Sequence, residues 1–192
     1  MRQVRCYPGW MIDSPADPRA VTAPAAPSGP GVTDGEVRWL TGDERPAWLA
    51  MGAIMMKLPA ALDAQLQRDA DLTFFEYMVL AMLSEMPERT LQMSELAAIT
   101  SASLSRLSHV ASRLEKRGYL QRRRCAGAGR RTNATLTDAG LAKVVAAAPG
   151  HVRAVRDLFL DALSPEQLSA LTDVGGQVMP RLDPSRTWTL PG

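Results

Sequence analysis

The chain has only two cysteines, Cys6 and Cys125, too far apart in sequence to suggest a disulfide framework or a metal-ligand spacing. It has two histidines, no H-E-x-x-H, no nucleophile elbow and no evident pair of catalytic carboxylates, so catalysis has little to stand on. The one glycine-rich stretch, Ala126-Gly127-Ala128-Gly129, lacks the Lys-Ser/Thr of a phosphate-binding loop and does not lie between a strand and a helix. By inspection no apolar run approaches the ~20 residues that span a bilayer. Arg2 and Arg5 are followed by YPGWMIDSPADP rather than by the apolar core of a signal peptide, so a cytoplasmic protein is expected. Aromatics make up only 5% of the 192 residues, and abundant alanine, leucine and arginine favour a mainly α-helical domain.

Positive charge is abundant in one place. Between Ser101 and Thr137 lie nine arginines and lysines against the single acid Glu115, a formal +8, whereas the whole chain carries +2 and the remainder is therefore about −6. Charge concentrated this way is the electrostatic footprint of a polyanion partner. The same stretch, from Ser94, reads as a short helix, a turn at Thr100-Ser101, a longer basic helix starting near Ala102 or Ser103, and two strands joined by the glycine-rich loop. Leu104, Leu107, Ala111 and Leu114 recur as one apolar stripe of the longer helix. Ser101, Ser103, Ser105, Arg106, His109 and Arg113 are its candidate DNA-contacting residues. Small residues at a helix N-terminus admit phosphate or base edges, and an arginine can pair in bidentate fashion with guanine. In the hairpin, Tyr119–Arg124 and Thr132–Leu136, the candidates are Arg130, Arg131 and Thr132, with Arg130 suited to a narrow minor groove.

The run MSELA, the serine-rich turn into LSRLSHVASRLEKRGYL, and GRRTNATLTDAG together resemble the MarR (multiple antibiotic resistance regulator) family of winged helix-turn-helix regulators. The resemblance covers roughly Trp39 to Pro180. The family's wing carries Asp two residues before its arginine; here Ala128 stands at that place before Arg130. The resemblance implies a winged helix-turn-helix with flanking N- and C-terminal dimerisation helices, and a homodimer that binds double-stranded DNA as a repressor. It also implies a small aromatic effector lodged where the dimer helices meet the DNA-binding lobe. Trp48, Met51, Met55, Phe74, Phe75 and Met78 are the candidate pocket residues, although such a stripe at helical spacing is also what a core looks like.

The remaining pattern divides the chain into a proline-rich arm, residues 1–35, expected to be disordered, and a domain over 36–192. Within the domain a DNA-binding lobe is expected at about 73–137, and dimerisation helices at about 44–70 and 138–180. Pro59 is expected to kink the first helix without ending it, and Pro149-Gly150 to interrupt the fourth long one. Thr73 with Glu76, and Ser164 with Gln167, are capping boxes; Thr137 and Ser94 are further caps. The first and last helices carry more apolar surface than a helix-turn-helix can cover, which independently suggests a second copy. No cofactor, metal or membrane partner is expected. A sequence-specific regulator is the leading reading; a non-specific architectural DNA protein and an enzyme built on a winged-helix module are the alternatives.

Overall fold

The computed structural model describes residues 37–124 and 131–184. The arm over 1–35, Cys125, the glycine-rich tip and Arg130 lie outside the described residues. Among the described residues six α-helices and three short strands follow one another: α1 (Glu44–Ala70), α2 (Phe74–Glu85), β1 (Thr90–Gln92), α3 (Met93–Ile99), α4 (Leu104–Lys116), β2 (Leu120–Arg124), β3 (Thr132–Leu136), α5 (Asp138–Leu158) and α6 (Pro165–Leu182). The strands form one antiparallel sheet in the order β1-β3-β2, with Leu91 opposite Ala134 and Arg122 opposite Ala134 on the other side. A helix-turn-helix followed by a hairpin that captures the strand before it is a winged helix-turn-helix, and the chain is mainly α, as the sequence pattern implies.

Two compact units are present. The first, residues 58–163, holds the core. Leu66, Tyr77, Leu80, Leu83, Leu96, Leu107, Leu114 and Val144 are buried there, each worth about 1.5–3 kcal/mol of apolar transfer for a residue of this size. Its helix ends are closed locally. Thr73 and Glu76 form the reciprocal capping box, and the Asp63 carboxylate on α1 accepts from the Phe74 N–H at 2.7 Å, so a second side chain closes the same helix end.

The second unit comprises residues 37–57 and 164–184 among those described. None of these residues is buried. Trp39, Trp48, Leu49, Met51, Ile54, Met55 and Met56 are exposed on one segment, and Leu171, Val174, Val178 and Leu182 on the other. The Ser164–Gln167 capping box opens α6, which then runs through Gly175-Gly176 and Pro180 to Leu182.

Three local expectations need correction. Pro149-Gly150 does not interrupt α5, which is one helix of 21 residues. Pro149 is exposed while Ala147, Ala148 and His151 around it are buried, so packing on the opposite face carries the helix past the missing N–H. Gly150 serves as a close approach: a Cβ there would meet the Gln65 amide nitrogen of α1 at 3.2 Å. Ser94 is not a cap, because α3 already starts at Met93, with Gln92, the last residue of β1, as its N-cap. Leu104 leaves the apolar stripe: as the first residue of α4 it is 54% exposed, and Val110 takes its place beside Leu107, Ala111 and Leu114. By length and composition alone α1 could cross a membrane. Its C-terminal end instead buries Leu62, Leu66 and Ala70 in the first unit.

His151 is 3% exposed, with its ring centroid 4.6 Å from that of Tyr77 and 6.0 Å from that of Phe74. Burial holds its pKa below the ordinary value of 6.5. A group whose pKa is depressed by folding binds protons more readily in the unfolded chain, so acid favours unfolding. Thermal stability should therefore be flat above pH 6.5 and fall as the pH drops below it. Melting curves of the native chain and of His151→Gln between pH 7.5 and 5.5 check this; the native chain should lose stability and the variant should not.

Candidate nucleic-acid interface

The turn between α3 and α4 is closed by its own side chains. The Thr100 hydroxyl donates to the Leu96 carbonyl at 2.8 Å, and Ser101 takes a left-handed conformation at φ 49°. Ser103 then caps α4, its hydroxyl accepting from the Arg106 N–H at 3.2 Å. Leu107, Val110, Ala111 and Leu114 are buried beneath the helix. All six candidate side chains on this segment, Ser101, Ser103, Ser105, Arg106, His109 and Arg113, are exposed. In the hairpin Arg131 is exposed and Thr132 half-buried, Thr132 pairing across the ladder with Arg124. An open cleft of about 480 Å³ lies between α3, α4 and the hairpin, lined among others by Ser94, Leu104, Ser108, Arg131 and Thr132.

The basic residues divide into two sets. In the first, each arginine is spent on a carboxylate within the fold. Arg113 reaches Glu76, a buried residue on α2, at 3.1 Å. Arg117 donates to both the carboxylate and the carbonyl of Asp71, at 2.8 and 2.7 Å, and lies 5.0 Å from the Tyr119 ring centroid. Arg122 clasps Glu115 through its Nε and a terminal nitrogen at 3.0 and 2.8 Å, and also donates to the Ser112 hydroxyl at 2.9 Å. The Arg122 backbone N–H, followed by its side chain, holds the Glu115 carboxyl below the usual carboxylate range. This clasp ties the first wing strand to α4.

The second set is Arg106, Lys116, Arg123, Arg124 and Arg131, all exposed and none paired with a carboxylate among the described residues. Sequence reading named Arg106 and Arg131 of these as candidate contacts and counted Lys116, Arg123 and Arg124 only in the charge of the module. The signal was available, since Arg123 and Arg124 continue the hairpin's arginine run. Arg106 has a different neighbour: its guanidinium carbon lies 4.5 Å from the centre of the Phe75 ring.

The six candidate effector-pocket residues do not share one environment. Trp48, Met51 and Met55 are exposed on the N-terminal half of α1, in the second unit; Phe74, Phe75 and Met78 are half-buried on α2, in the first. Among the described residues no group of histidines, cysteines and carboxylates is arranged to hold a metal ion.

Residues 70–131 match the MarR family. Among solved structures, Sco3205 from Streptomyces coelicolor, a MarR family transcriptional regulator in complex with DNA, is 41% identical; the match covers 79% of this chain and 95% of that one, with a TM-score of 0.75. AbsC, a MarR family transcriptional regulator from the same organism, is 36% identical over 77% of this chain and 99% of its own, with a TM-score of 0.72. PcaV, also from Streptomyces coelicolor and solved with its natural ligand, shares the fold at 22% identity and a TM-score of 0.60, over 78% of this chain and 100% of that one. No curated protein matches. With a helix-turn-helix and wing of this geometry, and with relatives this similar along nearly their whole length, the chain belongs to the MarR family of transcriptional regulators.

Proposed function

We propose that the protein is a homodimeric, sequence-specific DNA-binding repressor acting in the cytoplasm. In this reading the two α4 helices enter successive major grooves of a pseudo-palindrome, with half-sites about one turn, ~34 Å, apart. Ser101, Ser103, Ser105, Arg106 and His109 face the bases and nearby phosphates; Arg113, already paired with Glu76, mainly anchors the helix. Arg130, Arg131 and Thr132 follow the adjacent backbone and minor groove. The observation that carries the reading is the uniform exposure of the six candidate side chains along the turn, the cap and a helix whose opposite face is buried, in a chain 41% identical to a regulator solved with DNA.

The dimer is supported by the second unit, in which no described residue is buried although tryptophan, leucine, isoleucine and methionine crowd its surface. Apolar surface on this scale is stable in water only when something covers it, and a second copy would bring the matching helices. The effector remains part of the proposal as a small aromatic ligand that lowers DNA affinity. Its candidate contacts are the adaptable methionine and aromatic side chains on α1 and α2 named above, and it can act only through different affinities for the two arrangements of the dimer.

The test is selection of duplexes from a randomised pool by the full chain. A two-fold symmetric motif with half-sites about one helical turn apart is expected. Enrichment without any motif would replace this reading with the non-specific architectural one.

A further inference from the structure

Arg106 and Arg113 lie one heptad apart on α4, and they meet consecutive residues of α2 in different ways. Arg113 goes to Glu76 and is neutralised there. Arg106 goes to Phe75, with its guanidinium carbon 4.5 Å from the ring centre, and keeps its charge, since no carboxylate among the described residues pairs with it. Phe75 is half-buried, the second residue of a capped helix, and so a fixed platform; Arg106 is exposed, with its backbone held by the Ser103 cap. A free arginine side chain has rotamer entropy to lose on engaging a base. An aromatic ring removes part of that freedom in advance, and the N–H donors at the edges of the guanidinium stay available for a bidentate contact.

We propose that Phe75 is a positioning residue for base reading: it orients the Arg106 guanidinium without neutralising it, and so sharpens sequence preference at the base pair that Arg106 reads. The inference rests on the proposed role of Arg106 as a base contact and assigns to α2 a share in specificity, although α2 lies outside the helix-turn-helix.

The experiment is randomised-pool selection with the full chain and four variants: Arg106→Ala, Phe75→Leu, Phe75→Trp, and Phe75→Leu combined with Arg106→Ala. Arg106→Ala should flatten the preference at one symmetric pair of positions. Phe75→Leu should weaken the preference at the same positions by about 2–5-fold, the equivalent of ~0.5–1 kcal/mol, and leave the other positions unchanged. Phe75→Trp, which keeps a ring face, should restore it. On the Arg106→Ala background Phe75→Leu should add nothing. Phe75→Met replaces Phe75→Leu if the latter does not fold. The proposal is overturned if Phe75→Leu lowers affinity for every duplex alike, if it acts equally without Arg106, or if Phe75→Trp behaves as Phe75→Leu. If Arg106→Ala alone leaves every position unchanged, the base-contact reading falls first and the proposal falls with it.

Discussion

Raising the salt concentration from about 50 to 200 mM should weaken DNA binding by roughly 10³–10⁵-fold, the range expected for six to ten neutralised phosphates. The number of contacts follows from which cations the fold leaves free. The basic module contains nine arginines and lysines, and two copies of it, all engaged, would give a log–log slope near −16 at about −0.9 per contact. Arg113, Arg117 and Arg122 are committed to Glu76, Asp71 and Glu115. Within the module the free described cations are Arg106, Lys116, Arg123, Arg124 and Arg131, and with most of these engaged in both copies the slope should lie between about −5 and −9. Affinities measured across a salt series give it directly. A slope steeper than about −12 would mean that the internally paired arginines are released on binding. One flatter than about −2 would count against DNA as the main partner.

Replacing Gly140 by alanine should destabilise the protein more than any surface substitution. A Cβ built at Gly140 would lie 2.0 Å from the Tyr119 carbonyl oxygen and 2.7 Å from a methyl carbon of Leu136. The first contact is with backbone, which cannot rotate away. The same Tyr119 carbonyl accepts from the Thr137 N–H at 3.1 Å, so any shift also disturbs the cap of α5. Forced overpacking costs about 1–3 kcal/mol and occasionally more; with backbone as the obstacle, about 3 kcal/mol or above is expected. For a chain of this size that lowers the melting temperature by about 6–12 °C. Gly175→Ala is the control: nothing lies within 4 Å of its Cβ position and the residue is helical, so it should be neutral or stabilising by about 0.4–1 kcal/mol. Both are read by thermal unfolding at matched protein concentration. Equal melting temperatures for the two variants would show that the hairpin and α5 yield far more easily than their contacts indicate.

The parts of the fold that were legible in the sequence are those settled within a few residues. Thr73 with Glu76, Ser164 with Gln167, and Thr137 before Gly140 are caps whose donor and acceptor are three positions apart, and each forms as read. The parts that were not legible depend on distant partners. Pro149 and Gly150 signal a break locally, but the buried face of α5 overrides them. Leu104 matches the helical period, yet no core lies beneath the first residue of α4. The charge sum was right, but Arg113 finds Glu76 37 positions away, and nothing in the spacing of either residue announces it. Much of what makes the sequence resemble its family is scaffold: Leu114 and Leu136 are core, Glu115 and Arg117 are ion-paired, Gly118 sits at φ 75°, and Thr137 and Gly140 join the hairpin to α5.

Glu76 closes two structures with one carboxylate. One oxygen accepts from the Thr73 N–H at 2.9 Å and from its hydroxyl at 3.1 Å, while the other holds Arg113. Fraying of the first turn of α2 therefore releases the clasp on α4, and the two ends open as one cooperative event rather than two. Amide hydrogen exchange at Thr73 and Glu76 thus becomes a gauge of how firmly α4 is seated.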